Sequence, residues 1–104
     1  FVKFNKKYKK YKINNSLYIW QRGSHITWHN DSNNKFAGTV YLNEYWNKDD
    51  GGLFLWEDKM ENCTKVEFPE FNKMILNPQK IPHAVSMIPY QAKQLRFTIQ
   101  FFGN

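Results

Sequence analysis

The chain has 104 residues, 41% of them hydrophobic and 18% aromatic, a composition that supports a packed core and excludes a disordered polymer. No apolar run reaches the roughly 18 residues of a membrane-spanning helix, so no membrane partner is predicted. The net charge of +6 comes from 15 basic and 9 acidic residues, and five lysines crowd into residues 6–12. Because the excess charge lies at one end, a general nucleic-acid-binding surface is not favoured.

The first thirteen residues carry aromatic side chains at helical spacing. Phe1, Phe4, Tyr8 and Tyr11 recur every three or four residues with lysines between them, which predicts an amphipathic helix over 1–13 with a basic outer face. The start at Phe rather than Met indicates a fragment or a minimal version of a longer protein.

From residue 17 onward the sequence is typical of β-structure, with short runs of β-branched and aromatic residues between turn residues. Residues 14–16, Asn-Asn-Ser, are predicted to separate the helix from a β core over 17–103, within one domain over 1–104. So many short strands predict a mainly β fold, a sandwich, jelly roll or barrel, among which periodicity does not choose. The strands are predicted at 17–21, 25–29, 36–43, 52–56, 64–68, 72–76, 83–88 and 95–102.

The turn after the second predicted strand contains an imidazole and a carboxylate two residues apart. On a strand, residues i and i+2 point to the same face, so His29 and Asp31 can converge on one ion. Alone the pattern is weak, and a surface turn explains it more often. A third ligand must be His25 or His83. An extended strand separates His25 from His29 by about 13 Å, which is too far. His83 fits better, although a half-buried strand histidine has the same pattern.

The last predicted strand pairs a cation with a hydroxyl. Arg96 and Thr98 share one face, because Leu95, Phe97 and Ile99 alternate with them. Inside a barrel mouth, a guanidinium and a hydroxyl can clamp a carboxylate, the guanidinium in bidentate fashion. A solvent-facing strand arginine is the plain alternative, but arginine is rare in this lysine-rich chain, which favours the functional interpretation.

With these pieces in order, the stretch from His29 to Phe102 resembles the core of the 2-oxoglutarate- and Fe(II)-dependent oxygenases. Within that superfamily it is most similar to the prolyl 4-hydroxylase group. The resemblance covers about three quarters of the chain, and the ordered set is more specific than any piece of it. The matching pieces are His29-Asn30-Asp31, Tyr41-Leu42-Asn43 followed by Trp46, Gly51-Gly52, Pro82-His83-Ala84-Val85, and Arg96 with Thr98.

The resemblance implies a double-stranded β-helix, or jelly roll, and roles for five of the matching residues. It implies that His29, Asp31 and His83 are the iron ligands. It implies that Arg96 pairs with the distal carboxylate of 2-oxoglutarate and that Tyr41 donates its hydroxyl to the same group.

Four further residues are candidates for contacts in the same site. Thr98, which shares a face with Arg96, and Tyr18, on the strand before the metal motif, are expected to contact the cosubstrate. Trp28 and Trp46 are substrate-groove candidates, although packing is the commoner role of tryptophan in β cores.

The implied activity is that of a dioxygenase that hydroxylates a C–H bond. Fe(II) is the implied metal, 2-oxoglutarate and O2 are cosubstrates, succinate and CO2 are coproducts, and ascorbate is an expected stimulant. A peptide or protein substrate, above all a prolyl one, is the first expectation. The alternatives are an oxygenase acting on nucleic acid or a small molecule, and a non-catalytic β-barrel binding module that retains the fold. The lone Cys63 and the absence of a signal peptide suggest a cytoplasmic location.

Overall fold

The computed structural model describes residues 11–78 and 80–104, which form eight strands and one short 3-10 helix, Lys48–Asp50. Every predicted strand is present, with ends that differ by a few residues. Among the described residues no helix is long and apolar enough to cross a membrane. The strands are β1 (Ile13–Trp20), β2 (Ile26–His29), β3 (Phe36–Tyr41), β4 (Phe54–Asp58), β5 (Cys63–Glu67), β6 (Met74–Pro78), β7 (His83–Val85) and β8 (Arg96–Gly103).

The strands pair into two four-stranded antiparallel sheets. The first sheet has the order β1-β8-β3-β6 and the second has the order β2-β7-β4-β5. Apart from the β4–β5 hairpin, consecutive strands belong to opposite sheets, so the chain passes repeatedly from one layer to the other. This alternation produces the predicted jelly roll, the double-stranded β-helix.

The centre of the first sheet turns a mixed aromatic and polar face towards the second sheet. Trp20 of β1 lies opposite Arg96 of β8, and Tyr41 of β3 lies opposite Thr98. Since alternate residues of a strand share a face, these four side chains lie on the same side of the sheet. All four are buried. The polar face of β8 that the sequence predicts therefore points into the protein.

The core between the sheets is largely aromatic and aliphatic. Trp46, which follows β3, has its indole Nε1–H donating to the carbonyl of Gly51 at 2.9 Å, so its polar atom is satisfied inside the core. Phe54 and Val85 belong to the core and also line the cavity described below. The buried cluster consists of Trp20, Trp46, Phe54, Val85, Ile88 and Ala92.

The beginning of β1 differs from the prediction. Residues 1–10 of the predicted helix lie outside the described residues, and Ile13 already belongs to β1, so the helix does not extend to residue 13. The polar residues 14–16, a predicted break, pair with β8 instead. β1 is an edge strand with exposed side chains over this stretch. Polar side chains cost little there, because they remain in water.

Candidate metal centre and adjoining pocket

His29, Asp31 and His83 come together between the two sheets. One ligand atom from each lies within 4.8 Å of the other two. Nε2 of His83 is 3.0 Å from Oδ2 of Asp31, and Nε2 of His29 is 3.4 Å from Oδ1 of the same carboxylate. Two imidazoles and one carboxylate form a donor set that suits a first-row divalent metal, and a facial set of this composition leaves coordination positions open.

The sheet and the backbone orient both histidines. His29 ends β2 and pairs with His83, the first residue of β7. Nδ1 of each lies 2.8 Å from a carbonyl oxygen two residues earlier, that of Thr27 for His29 and that of Ile81 for His83. A carbonyl only accepts, so these hydrogen bonds favour the tautomer in which Nδ1–H donates. Nε2 then keeps the lone pair that metal binding requires.

Asp31 lies just beyond the end of β2, in a turn. The amide N–H of Asn34 donates to its backbone carbonyl at 3.0 Å, which closes the turn. The side chains of His29 and Asp31 reach the same cavity, as the spacing of two residues predicts. His25 lies outside the cluster, and its Nδ1 is 3.1 Å from the carbonyl oxygen of Gly23.

A cavity of about 110 Å³ adjoins the cluster, with walls from both sheets. This volume is of the order of the ~150 Å³ cavity that accepts benzene, so it suits a small organic molecule. The polar side chains around it include the three of the cluster together with Tyr18, Tyr41 and Arg96. Its apolar lining includes Ile26, Phe54, Ile75, Val85 and Phe102.

Arg96 is a buried cation whose donors are incompletely used. The residue is 1% exposed, and within 11–78 and 80–104 its Nε and Nη1 have no hydrogen-bond partner. Its guanidinium carbon lies 4.6 Å from the ring centroid of Trp20 and 5.1 Å from that of Tyr41. Burial leaves the charge of Arg96 poorly solvated and lowers its pKa, and the neighbouring Tyr41 only partly opposes that decrease. An anion with planar oxygens, such as a carboxylate, complements this group.

Tyr41 adds a second unused donor beside Arg96. It is 1% exposed, and its hydroxyl has no hydrogen-bond partner among the described residues. Burial raises the pKa of Tyr41, and the charge and the hydrogen-bonding approach of the Arg96 guanidinium, which falls short of a well-formed hydrogen bond, only partly oppose that increase. The phenol is therefore neutral at physiological pH and able to donate a hydrogen bond.

Thr98 lies behind the cavity lining and is fully buried. Its hydroxyl oxygen accepts from Trp20 Nε1 at 3.0 Å and from Gln100 Nε2 at 3.3 Å. With both lone pairs engaged, its O–H proton is left to donate.

The other predicted contact residues fall in different places. Tyr18 lines the cavity and is 38% exposed. Trp46 is 5% exposed and belongs to the core cluster, so it has the packing role that the sequence offers as the alternative. Trp28 is 47% exposed and does not line the cavity. A substrate contact for Trp28 stays a prediction.

Two residues that sequence reasoning missed, Asn77 and Phe54, support the site together with Gly52, which belongs to the matching Gly51-Gly52 piece but was given no role. The buried carboxamide of Asn77 lies 2.8 Å from Nδ1 of His83. The ring of Phe54 stacks on His83, with centroids 5.4 Å apart and planes at 21°. Gly52 leaves room for Arg96, because a Cβ there would lie 3.1 Å from the arginine Cδ. For Asn77 a signal existed: it is a polar residue on the inward face of a strand whose other residues are mainly apolar.

A family model described as the 2OG-Fe(II) oxygenase superfamily matches residues 13–103. Among similar solved structures, a prolyl 4-hydroxylase from Pseudomonas putida has a TM-score of 0.75 at 17% identity, covering 86% of this chain and 50% of its own. A 2OG-Fe(II) oxygenase family oxidoreductase from Burkholderia pseudomallei has a TM-score of 0.74 at 19% identity, covering 90% and 43%.

A prolyl hydroxylase from Trichoplax adhaerens, in complex with a hypoxia-inducible-factor peptide fragment, has a TM-score of 0.70 at 23% identity and covers 95% and 48%. At these identities the likenesses establish the fold. The chain spans half or less of the length of these three proteins. A search of curated proteins finds no match.

Proposed function

The chain belongs to the 2OG-Fe(II) oxygenase superfamily, and on that premise we propose that it is an Fe(II)- and 2-oxoglutarate-dependent dioxygenase. His29, Asp31 and His83 are the proposed metal ligands. One observation carries the proposal: the same cavity is lined by a metal-type ligand set and by a buried cation, Arg96, with unused donors. A molecule that chelates a metal at one end and carries a carboxylate at the other complements both groups, and 2-oxoglutarate is such a molecule.

The cluster offers the ion two imidazole nitrogens and a carboxylate oxygen. The Nδ1 hydrogen bonds of His29 and His83 hold each Nε2 towards Asp31, so the three donors are preorganised before any ligand enters. In this superfamily the Fe(II) ion and 2-oxoglutarate together supply the oxidising chemistry, with O2 as the second cosubstrate and succinate and CO2 as coproducts.

At the other end, Arg96 provides the counter-charge for the distal carboxylate. Its unused Nε and Nη1 suit two carboxylate oxygens, and burial strengthens the interaction because little water competes. Tyr41 lines the cavity and has an O–H proton available for the same carboxylate. Thr98 lies behind the lining with its O–H proton also unused, and a contact of this hydroxyl with the carboxylate stays a prediction. Tyr18 is the proposed contact at the exposed edge of the cavity.

The rest of the lining is mainly apolar. Phe54, Ile75 and Val85 present no hydrogen-bonding side chains, so water gains little by remaining near the metal ligands. Exclusion of water strengthens the electrostatic interactions within the site and limits competing reactions. The task of the protein is therefore to hold, orient and shield the reacting groups.

For the substrate, we infer a polypeptide with a prolyl residue as the hydroxylated group. Two of the similar structures are prolyl hydroxylases, and one of them holds a peptide. The side chain of His29 is 35% exposed and Tyr18 is 38% exposed, so the metal ligands adjoin the protein surface. A chain segment too large for the cavity can thus present one side chain to the site from outside.

Succinate formation tests the chemistry without knowledge of the substrate. The assay supplies 2-oxoglutarate, Fe(II) and ascorbate, in air and anaerobically, to the wild type, His83→Ala and His25→Ala. We expect oxygen-dependent succinate in the wild type and in His25→Ala, whose histidine lies outside the cluster, and none in His83→Ala. Equal succinate from all three proteins would show that the cluster is not the metal site.

A peptide comparison tests the substrate class. Proline-containing peptides are paired with the same peptides carrying alanine at each proline, and mass spectrometry detects the gain of one oxygen. We expect gain of oxygen, and faster succinate formation, only with the proline series. Stimulation by single-stranded nucleic acid or by small molecules instead would replace the substrate proposal and leave the dioxygenase proposal intact.

A further inference from the structure

We propose that Asn77 is a positioning residue that fixes the ring of His83 for metal binding. The inference rests on the proposed function of His83 as a ligand. Asn77 lies on β6 in the first sheet, whereas His83 lies on β7 in the second. The asparagine is 7% exposed, and its carboxamide nitrogen is 2.8 Å from Nδ1 and 3.4 Å from Nε2 of His83.

A buried carboxamide is unfavourable unless its polar atoms find partners. Asn77 shares the inward face of β6 with the apolar Ile75, and both line the cavity. An apolar residue at 77 would continue that lining at no desolvation cost. The polar group is therefore better explained by its contact with His83 than by packing.

The carboxamide complements the hold that the backbone already has on His83. Nδ1 faces the carbonyl oxygen of Ile81 at 2.8 Å, a contact from the segment just before β7 that favours the proton on Nδ1. A carboxamide carries a donor and an acceptor in one planar group, so Asn77 with its amide turned over presents its oxygen to the same Nδ1–H that Ile81 accepts. The contact from Asn77 comes from the opposite sheet and adds to the Ile81 contact, so the two together restrict rotation of the ring more than either does alone.

The position of Asn77 is itself set by the first sheet. β6 pairs with β3, and Asn77 lies opposite Ala37 in that register. The contact with Asn77 therefore ties a metal-ligand candidate of the second sheet to the first sheet, which also carries Arg96 and Tyr41. The contact thus fixes the position of the metal ligands relative to the groups that would bind the distal carboxylate. A molecule such as 2-oxoglutarate, which would contact both sets, requires this fixed distance.

The test measures metal binding and fold separately. Asn77→Ala removes the carboxamide, and Asn77→Leu replaces it with an apolar side chain of similar volume. The matched control is Asn43→Ala, because the carboxamide of Asn43 bonds the backbone of Leu95 and Phe97 at 2.8 and 2.7 Å, away from the histidines. The dissociation constant of Mn(II) alone is measured by calorimetry, and the thermal unfolding midpoint is measured without metal.

We expect Mn(II) to bind about 10- to 100-fold more weakly to both Asn77 variants, the usual effect of losing a group that orients a ligand. Asn43→Ala should have a lower unfolding midpoint and unchanged Mn(II) affinity. As a readout that packing alone would not move, the His83 Nδ1–H resonance of the Zn(II)-loaded protein should exchange faster with water in the Asn77 variants. The corresponding resonance of His29 should not change.

The possible outcomes separate the two proposals. Wild-type Mn(II) affinity in a folded Asn77→Leu overturns the positioning role and leaves the proposed dioxygenase function standing. A wild type that binds no Mn(II) overturns both. If Asn77→Ala fails to fold, Asn77→Leu decides the question because it preserves the volume of the side chain.

Discussion

The two histidines of the candidate centre share one local contact and differ in their surroundings. In each, Nδ1 lies 2.8 Å from a carbonyl oxygen two residues earlier. His83 is 5% exposed, stacks on Phe54 and faces Asn77 of the opposite sheet. The side chain of His29 is 35% exposed and lies on the edge strand β2. Identical local geometry is thus embedded in the core in one case and left at the surface in the other.

Because the two histidines differ in burial, their effects on the stability of the fold and on metal binding can be measured separately. We call His83, Asn77, Phe54 and Arg96, with its neighbour Tyr41, the buried side, and we call His29 and Asp31 the rim. A buried polar group affects stability through its partners and its desolvation, whereas an exposed group affects stability little. Changes on the buried side should therefore alter stability and ligand binding together, and changes at the rim should alter binding alone.

The largest expected effect contrasts His83→Ala with His29→Ala. Both should reduce Fe(II)-dependent succinate formation by more than about 100-fold, since each removes a proposed ligand. Without metal, His83→Ala should lower the free energy of unfolding by about 2 kcal/mol, because it leaves the buried carboxamide of Asn77 unpaired. His29→Ala should change it by no more than about 0.5 kcal/mol. Urea denaturation in the presence of a chelator measures both, and equal losses would contradict the division into two sides.

Arg96→Met should weaken the binding of 2-oxoglutarate and at the same time raise the stability of the folded protein. The affinity for 2-oxoglutarate should fall about 100-fold, because charge-assisted hydrogen bonds are lost. The free energy of unfolding should rise by about 1 kcal/mol, because a poorly solvated charge is replaced by an apolar side chain. That gain exceeds the loss of cation–π contacts with Trp20 and Tyr41.

The control for Arg96→Met is Arg22→Met, which changes an exposed arginine and should alter neither quantity. Mn(II) affinity should be unchanged in both variants, since neither arginine belongs to the ligand cluster. A lower stability for Arg96→Met would mean that the contacts of the buried guanidinium stabilise the fold, so that ligand binding is not needed to explain why an arginine is there.

The same division explains how much of the site the sequence predicts. His29 with Asp31, and Arg96 with Thr98, were predicted to share faces, and each pair does, because a spacing of two along a strand is a local property. The eight strands followed from composition and turns, which are also local. The structure confirms the predicted jelly roll, which the resemblance chose among the β architectures left open by periodicity.

What the sequence does not predict depends on the pairing of distant strands. Asn77 meets His83 only because β6 and β7 occupy facing sheets, and Phe54 reaches the same ring through the pairing of β4 with β7. Neither the placement of β6 opposite β7 nor the pairing of β4 with β7 can be read from the periodicity of the sequence. For Trp46 the sequence allows either a substrate-groove role or a core role, and the packing of the folded protein places it in the core.

A smaller effect is expected from crowding Arg96 through its neighbour. Gly52 has a φ of +64°, and a Cβ there would lie 3.1 Å from Cδ of Arg96. Gly52→Ala should lower the free energy of unfolding by about 1–2 kcal/mol and should weaken 2-oxoglutarate binding a few-fold by displacing the guanidinium. Gly23→Ala is the matched control, because Gly23 has a φ of +88° and no atom within 4 Å of its added Cβ. It should lose stability with no change in 2-oxoglutarate affinity, and a binding loss as large as that of Gly52→Ala would exclude the crowding of Arg96 as the cause.

The smallest expected change in stability comes from removing one hydroxyl on the buried side. Tyr41→Phe should weaken 2-oxoglutarate binding about tenfold, the effect of one hydrogen bond to a charged acceptor. Because the hydroxyl has no partner among the described residues, the variant should be at least as stable as the wild type at neutral pH.

The pH dependence of Tyr41→Phe gives a test that does not involve ligand. Burial raises the pKa of Tyr41 in the folded protein above the ordinary value of 10.0. As the pH rises past about 10, the unfolded wild-type chain releases this proton before the folded chain does. The wild type therefore loses stability relative to Tyr41→Phe above that pH, and the difference is constant below it. Urea midpoints of the two proteins across that range measure the difference, and a gap that narrows with rising pH would mean that the charge of Arg96 outweighs burial at this phenol.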